Sequence, residues 1–213
     1  MAGPRNPRAW HRDLTKADKN SKKYYFNFAP KPHAKQKTLE IMEEQDQQEQ
    51  HPEKSAVEKA GEDLFNFAVD REDIRELMAQ LPENADVNAT TVEYELPLLK
   101  IITVGWAAPY LMENSRHKPE LMEVYWNAVR AFSQNLSGTA GLMTGQDIDY
   151  FGVVKQRFHT YLAAMEANSG AGDPAAVIGP EFAEACGNRD DVFTVLIGSR
   201  MFVGTVNCVR EYL

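Results

Sequence analysis

The sequence predicts an all-α protein: a compact bundle of about five to six helices, preceded by an extended basic N-terminal arm. Three observations carry this expectation. From residue 55 to residue 165, apolar side chains recur in steps of three and four, the spacing of one helix face. Two segments open on capping-box signatures, Ser55-Ala-Val-Glu58 and Thr90-Thr-Val-Glu93, in which the hydroxyl and the carboxylate each take an orphan amide of the first turn. The interruptions fall at Pro, Gly and Asn, as at Pro82, Pro119 and Asn168–Pro174.

The arm spans residues 1–37. It holds ten Lys/Arg against Asp13 and Asp18, a net of +8, while residues 38–213 hold 13 basic and 29 acidic side chains, a net of −16. Such a split marks a basic tail suited to an anionic surface, with a merely solubilising tail as the competing reading. Residues 1–23 are polar and interrupted by proline, with too little apolar surface to fold alone. Lys22 and Lys23 then lead into Tyr24, Tyr25, Phe26 and Phe28, four aromatics in five positions. Leaving such a cluster in water is costly, so these six residues are the expected binding site for a protein partner, or the arm packs on its own body. Residues 38–54 are Glu/Gln-rich, a polar linker or a marginal helix.

The helical domain occupies 55–213. Its first helix carries the seam Val57, Ala60, Leu64, Phe67, Ile74, Met78 and Leu81, with Arg71 the single charged member; Asp70 offers a restart point and Pro82 a stop. The second runs from Thr90 to about Asn114, with Pro97 and Pro109 expected to kink or divide it. The third starts with Pro119 at its first position and presents Leu121, Val124, Tyr125, Ala128, Phe132 and Leu136. Ser137–Gly141 reads as a loop. Thr144 and Asp147 frame a fourth helix with the stripe Ile148, Phe151, Val154, Phe158, Tyr161, Leu162 and Met165. After the loop Asn168–Pro174 comes a short helix around Pro180–Cys186, ended by Gly187. The last segment, Asp190–Tyr212, is apolar nearly all round and reads as the central buried helix, with a strand pair turning near Gly198-Ser199 as the alternative. Its apolar run Val192–Val209 has Arg200 at the middle, and a central Arg costs roughly 2.5–3.5 kcal/mol on insertion, so no membrane span is expected.

Chemical signatures are sparse. GxSxG, HExxH, Rossmann and P-loop patterns are missing from the sequence, and no histidine has Glu three residues before it, as a di-iron bundle requires. Glu113, His117, Glu120 and Glu123 approach metal-ligand spacing, but Pro119 breaks their register and SRHKPE reads as an exposed turn. Gly138–Gly145 resembles a phosphate cradle only loosely, since Asp147 and Asp149 repel an anion. His159 reads as a satisfied core histidine, with a ligand pocket around Trp106, Trp126 and His159 as the alternative. Cys186 and Cys208 read as small buried hydrophobes in a reducing compartment such as the cytoplasm. Arg71 and Arg200 call for an intramolecular carboxylate or a subunit interface. No catalytic residue, metal or cofactor is assigned. The expected function is that of a non-enzymatic accessory or assembly subunit of a larger complex, anchored by the arm. A small-ligand-binding or enzymatic domain near His159 and a nucleic-acid binder using the arm are the alternatives.

Overall fold

The structure, a computed structural model, describes residues 54–145, 148–170 and 172–213. The arm, its aromatic cluster and all of the 38–54 linker except Lys54 lie outside the described residues, which contain helices and no strand. Seven helices follow in order, six if the first two count as one broken rod, in line with the expected all-α bundle.

Helix α1, Ala56–Val69, begins where Ser55 Oγ accepts from Glu58 N at 3.1 Å and Glu58 Oε2 accepts from Ser55 N at 2.8 Å. It ends at Asp70, whose backbone turns extended (φ −64°, ψ 141°) and whose Oδ1 accepts from Glu72 N at 2.9 Å. Helix α2, Glu72–Met78, therefore starts on a new axis. The break takes Arg71 out of the expected seam; it is exposed and pairs with Glu93 at 2.9 Å. Leu64, Ala68, Ile74 and Leu77 form the buried row, and Val57, Ala60, Phe67 and Met78 pack at its edge.

Helix α3, Ala89–Leu111, is the centre of the molecule. Its cap is Asn88, whose Oδ1 accepts from Thr90 N at 2.8 Å and Thr91 N at 3.4 Å, so the expected Thr90 capping box does not form. Asn88 stands two residues earlier and accepts from the Thr90 and Thr91 amides, and Glu93 is engaged with Arg71. Neither Pro97 nor Pro109 divides the helix. Each removes one intrahelical bond at about 3 kcal/mol. Burial of Val92, Leu96, Leu98, Leu99, Ile101, Ile102 and Val104 returns on the order of 10 kcal/mol, which outweighs both.

Helix α4, Lys118–Thr144, places Pro119 in its first turn and buries Leu121, Met122, Tyr125, Val129 and Ser133. Tyr125 OH donates to Ile101 O at 2.7 Å, fixing α4 on α3. The expected loop at Ser137–Gly141 is helical instead. Glycines weaken a helix interior without forbidding it, and the stop comes at Gly145, left-handed at φ 69°, whose N–H donates to Gly141 O at 2.9 Å. Helix α5, Tyr150–Ala167, is capped by Asp149 Oδ1 on Gly152 N at 2.8 Å rather than framed by Thr144 and Asp147; Asp147 lies outside the described residues. Of its stripe, Val154 and Tyr161 are buried, Phe151, Phe158, Leu162 and Met165 are half-buried, and Ile148 is exposed.

Helix α6, Ala175–Ala185, begins five residues earlier than the segment expected around Pro180. Helix α7, Val192–Tyr212, is one unbroken helix, which overturns the strand-pair alternative. Asp191 starts it by accepting from Thr194 N at 2.8 Å and Thr194 Oγ1 at 2.7 Å. It is not the central helix. It packs against α3 and α6 through Thr194, Ile197, Gly198, Met201, Phe202, Thr205 and Val209, and its opposite side is exposed. Cys208, expected buried, is exposed there, while Cys186 is buried. By length and composition α7 is the one helix among the described residues that would reach across a bilayer.

The α6–α7 contact depends on Gly198. A Cβ there would stand 2.6 Å from Phe182 Cδ1 and 2.8 Å from Phe182 Cβ, and Phe182 is fully buried. We expect Gly198→Ala to destabilise the protein by about 1–3 kcal/mol from overpacking, although Ala is the better helix former by about 1 kcal/mol. Chemical denaturation checks this, and a stabilised variant would show that α6 and α7 do not pack this closely.

Candidate functional site

The described residues bury two charged side chains on α3, Glu95 and Lys100, each about 1–2 % exposed as a residue. They are five positions apart, which points them to different sides of the helix. A buried charge needs a partner and hydrogen bonds, and each has both.

Glu95 faces α5. Arg157 Nε donates to Glu95 Oε2 at 2.9 Å and Arg157 Nη2 donates to Oε1 at 2.8 Å, a bidentate fork that occupies both carboxylate oxygens. Around it lie Tyr161 of α5 and Cys186 at the end of α6. Burial, then the charge of Glu95, pushes the Tyr161 phenol well above its ordinary range, and its hydroxyl has no hydrogen-bond partner among the described residues. Burial, then Glu95, pushes the Cys186 thiol up to about 12. At neutral pH this thiol stays protonated, the wrong state for a nucleophile. With Glu95 occupied by Arg157, the group joins α3, α5 and α6 and presents no accessible base.

Lys100 faces the break between α1 and α2. Its ammonium donates to Asp70 O at 3.0 Å and to Asp73 Oδ1 at 2.9 Å, and it lies 4.4 Å from the Phe67 ring centroid. The carbonyl freed where α1 stops is thereby satisfied by a charge from the central helix.

The residues singled out in the sequence are placed as follows. Lys22, Lys23, Tyr24, Tyr25, Phe26 and Phe28 lie outside the described residues. Trp106 stacks on Tyr110 at 5.1 Å and meets Phe202 of α7 at 5.6 Å. Trp126 lies against Gly105 and meets Phe158 edge-on at 5.7 Å. His159 is exposed, not a core residue, because the half-buried Phe158 takes the inward position beside it. A cleft of about 150 Å³ lies elsewhere, between α2 and α7, with Asp73, Glu76, Leu77, Gln80, Arg200 and Met201 in its lining. Arg200 is exposed and donates to Gln80 Oε1 rather than to a carboxylate. Glu113, His117, Glu120 and Glu123 are all exposed, with His117 Nδ1 4.0 Å from Glu120 Oε2. Among the described residues no three His, Cys, Asp or Glu side chains converge as a metal site.

Two exposed apolar regions stand out. Leu142 and Met143, at the end of α4, are 91 % and 81 % exposed. Along α7, Val192, Phe193, Leu196 and Val203 are exposed in a row. Sequence reasoning missed Glu95, Lys100 and Arg157; the available signal was two lone charges inside the otherwise apolar stretch 95–108.

No family model, curated protein or solved structure matches this chain.

The two buried charges should respond differently to removal. Glu95→Ala strands Arg157 and should cost about 3 kcal/mol, the low end for a broken buried pair because Arg157 keeps partial contact with solvent. Lys100→Met keeps the stem and leaves Asp73, which is 39 % exposed, to water; it should cost below about 1.5 kcal/mol or stabilise. Denaturant midpoints of the two variants check the order, and the reverse order would contradict this assignment.

Proposed function

We propose that the protein is a non-enzymatic accessory or assembly subunit, held to a larger complex by its N-terminal arm in a reducing intracellular compartment. The observation that supports this most is the pairing of a +8 arm bearing Tyr24, Tyr25, Phe26 and Phe28 with a helical body whose exposed surface retains large apolar side chains on α4 and α7. Clustered aromatics anchor interfaces, and exposed apolar rows mark surfaces that meet other molecules. The charged groups buried on α3 support the same reading, because each is engaged by a neighbouring helix rather than aimed into a cavity.

The division of labour in the arm supplies the test. Aromatics contribute affinity that salt barely changes, whereas lysines act mainly on association rate and are screened beyond roughly 8 Å at physiological salt. Full-length protein should retain a protein partner from extract. Replacing Tyr25 and Phe26 by Ala should abolish that retention at low and high salt, and replacing Lys22 and Lys23 by Gln should weaken it modestly. Nucleic-acid binding has a different signature: affinity for arbitrary oligonucleotides falling with salt at a log–log slope of about −0.7 to −0.9 per phosphate neutralised. That slope, with no protein retained, would overturn the assembly reading in favour of the nucleic-acid one.

A further inference from the structure

The cleft between α2 and α7 measures about 150 Å³, the size of a cavity that takes one benzene molecule. Glu76, Leu77 and Gln80 line its α2 wall, and Arg200, Met201, Gly204 and Thr205 line its α7 wall. Leu77 and Met201 are buried and give the cleft an apolar floor. Its two walls carry opposite charges that do not pair with each other. Arg200 Nη1 donates to Gln80 Oε1, and no carboxylate of the described residues lies within ion-pair distance of Arg200. Glu76, exposed on the other wall, likewise has no cation on its carboxylate among the described residues. Asp73, also on the α2 wall, is already engaged by Lys100.

Two features of α7 point to an occupant. Gly204 lies inside a helix, where glycine is a poor choice, and no packing among the described residues requires it: a Cβ there would meet no atom within 4 Å. Gly198 of the same helix differs, because Phe182 would stand 2.6 Å from its Cβ. A glycine on a cleft wall that the protein's own packing does not explain leaves room for a ligand to approach the backbone closely. The second feature is Thr205. It is 2 % exposed, and its hydroxyl donates to Met201 Sδ at 3.6 Å, a weak acceptor. The hydroxyl oxygen is left to accept from a donor in the cleft.

We propose that this cleft binds a free zwitterion of amino-acid size. Its carboxylate sits on Arg200, its ammonium on Glu76 and Thr205 Oγ1, and its small apolar side chain over Gly204 between Leu77 and Met201. With Nη1 on Gln80, Arg200 keeps Nε and Nη2 for a carboxylate, the planar pairing that guanidinium favours. An anion alone would face Glu76 and a cation alone would face Arg200, so a molecule carrying both charges suits both walls. This goes beyond the assembly reading and does not rest on it, since no residue of the arm takes part.

The test titrates the full chain, labelled with nitrogen-15, with L-valine, isobutylamine and isovalerate and follows the backbone amide shifts. L-Valine should bind saturably in about the millimolar range, with the largest shifts on residues 73–80 and 200–205. Isobutylamine and isovalerate, each lacking one of the two charges, should bind about three-fold more weakly or worse. Glu76→Gln and Arg200→Gln, both at exposed positions, should each weaken valine by about the same factor. Gly204→Ala should weaken valine as well while keeping or raising the thermal midpoint, because the added methyl enters the cleft and touches no atom of the described residues. No saturable valine binding, shifts centred elsewhere, or equal affinity for a single-charge analogue would overturn the proposal. So would an unchanged valine affinity in any of the three variants.

Discussion

The fold depends on one constraint: α3 is enclosed by its neighbours yet carries two charges. Glu95 and Lys100 are as buried as the leucines between them. Neither is stable there alone, because a charge taken out of water needs a counter-charge and hydrogen bonds. The neighbours supply them from opposite directions. Arg157 brings α5 to Glu95, and the carboxylate of Asp73 with the carbonyl of Asp70 brings the α1–α2 break to Lys100. The hydrophobic contacts would tolerate many rotations of α3 about its axis; the two ion pairs are compatible with one. Tyr125, which donates to Ile101 O, adds a third directional tie from α4.

This arrangement explains which parts of the fold were legible in the sequence. The Ser55–Glu58 cap and the buried Leu64 and Ile74 follow from local pattern, and the structure has them. The α7 segment reads as central in the sequence because composition alone does not distinguish a helix buried on all sides from one buried on part of its surface. The distinguishing fact is tertiary: α3 is packed by the other helices, while Val192, Leu196 and Val203 of α7 stay 65 %, 48 % and 43 % exposed. Glycines misled in one direction. Gly138 and Gly141 suggested a loop, yet α4 continues through them until Gly145 adopts a left-handed conformation. His159 shows the limit of a stripe read from spacing, since a shift of one position, 100° around the helix, separates the half-buried Phe158 from an exposed neighbour.

The functional reading rests on how polarity and apolarity are distributed. Inside, the carboxylate and ammonium groups of α3 are engaged by adjacent helices, and the buried thiol of Cys186 is held protonated. Outside, apolar side chains remain along α7 and at the end of α4. The segment Lys22–Phe28 stands out by its composition, whereas the exposed row on α7 is visible only in three dimensions.

The claim that paired charges on α3 orient its neighbours is tested most directly by a double-mutant cycle on Glu95 and Arg157, with unfolding free energies for wild type, Glu95→Ala, Arg157→Ala and the double variant. Residues in a buried hydrogen-bonded pair should couple by about 2–3 kcal/mol, the upper part of the range for contacting residues, so that the double variant is hardly less stable than Glu95→Ala alone. A coupling below about 0.5 kcal/mol, with the two losses simply additive, would mean that apolar packing alone sets α5 on α3 and would contradict this account.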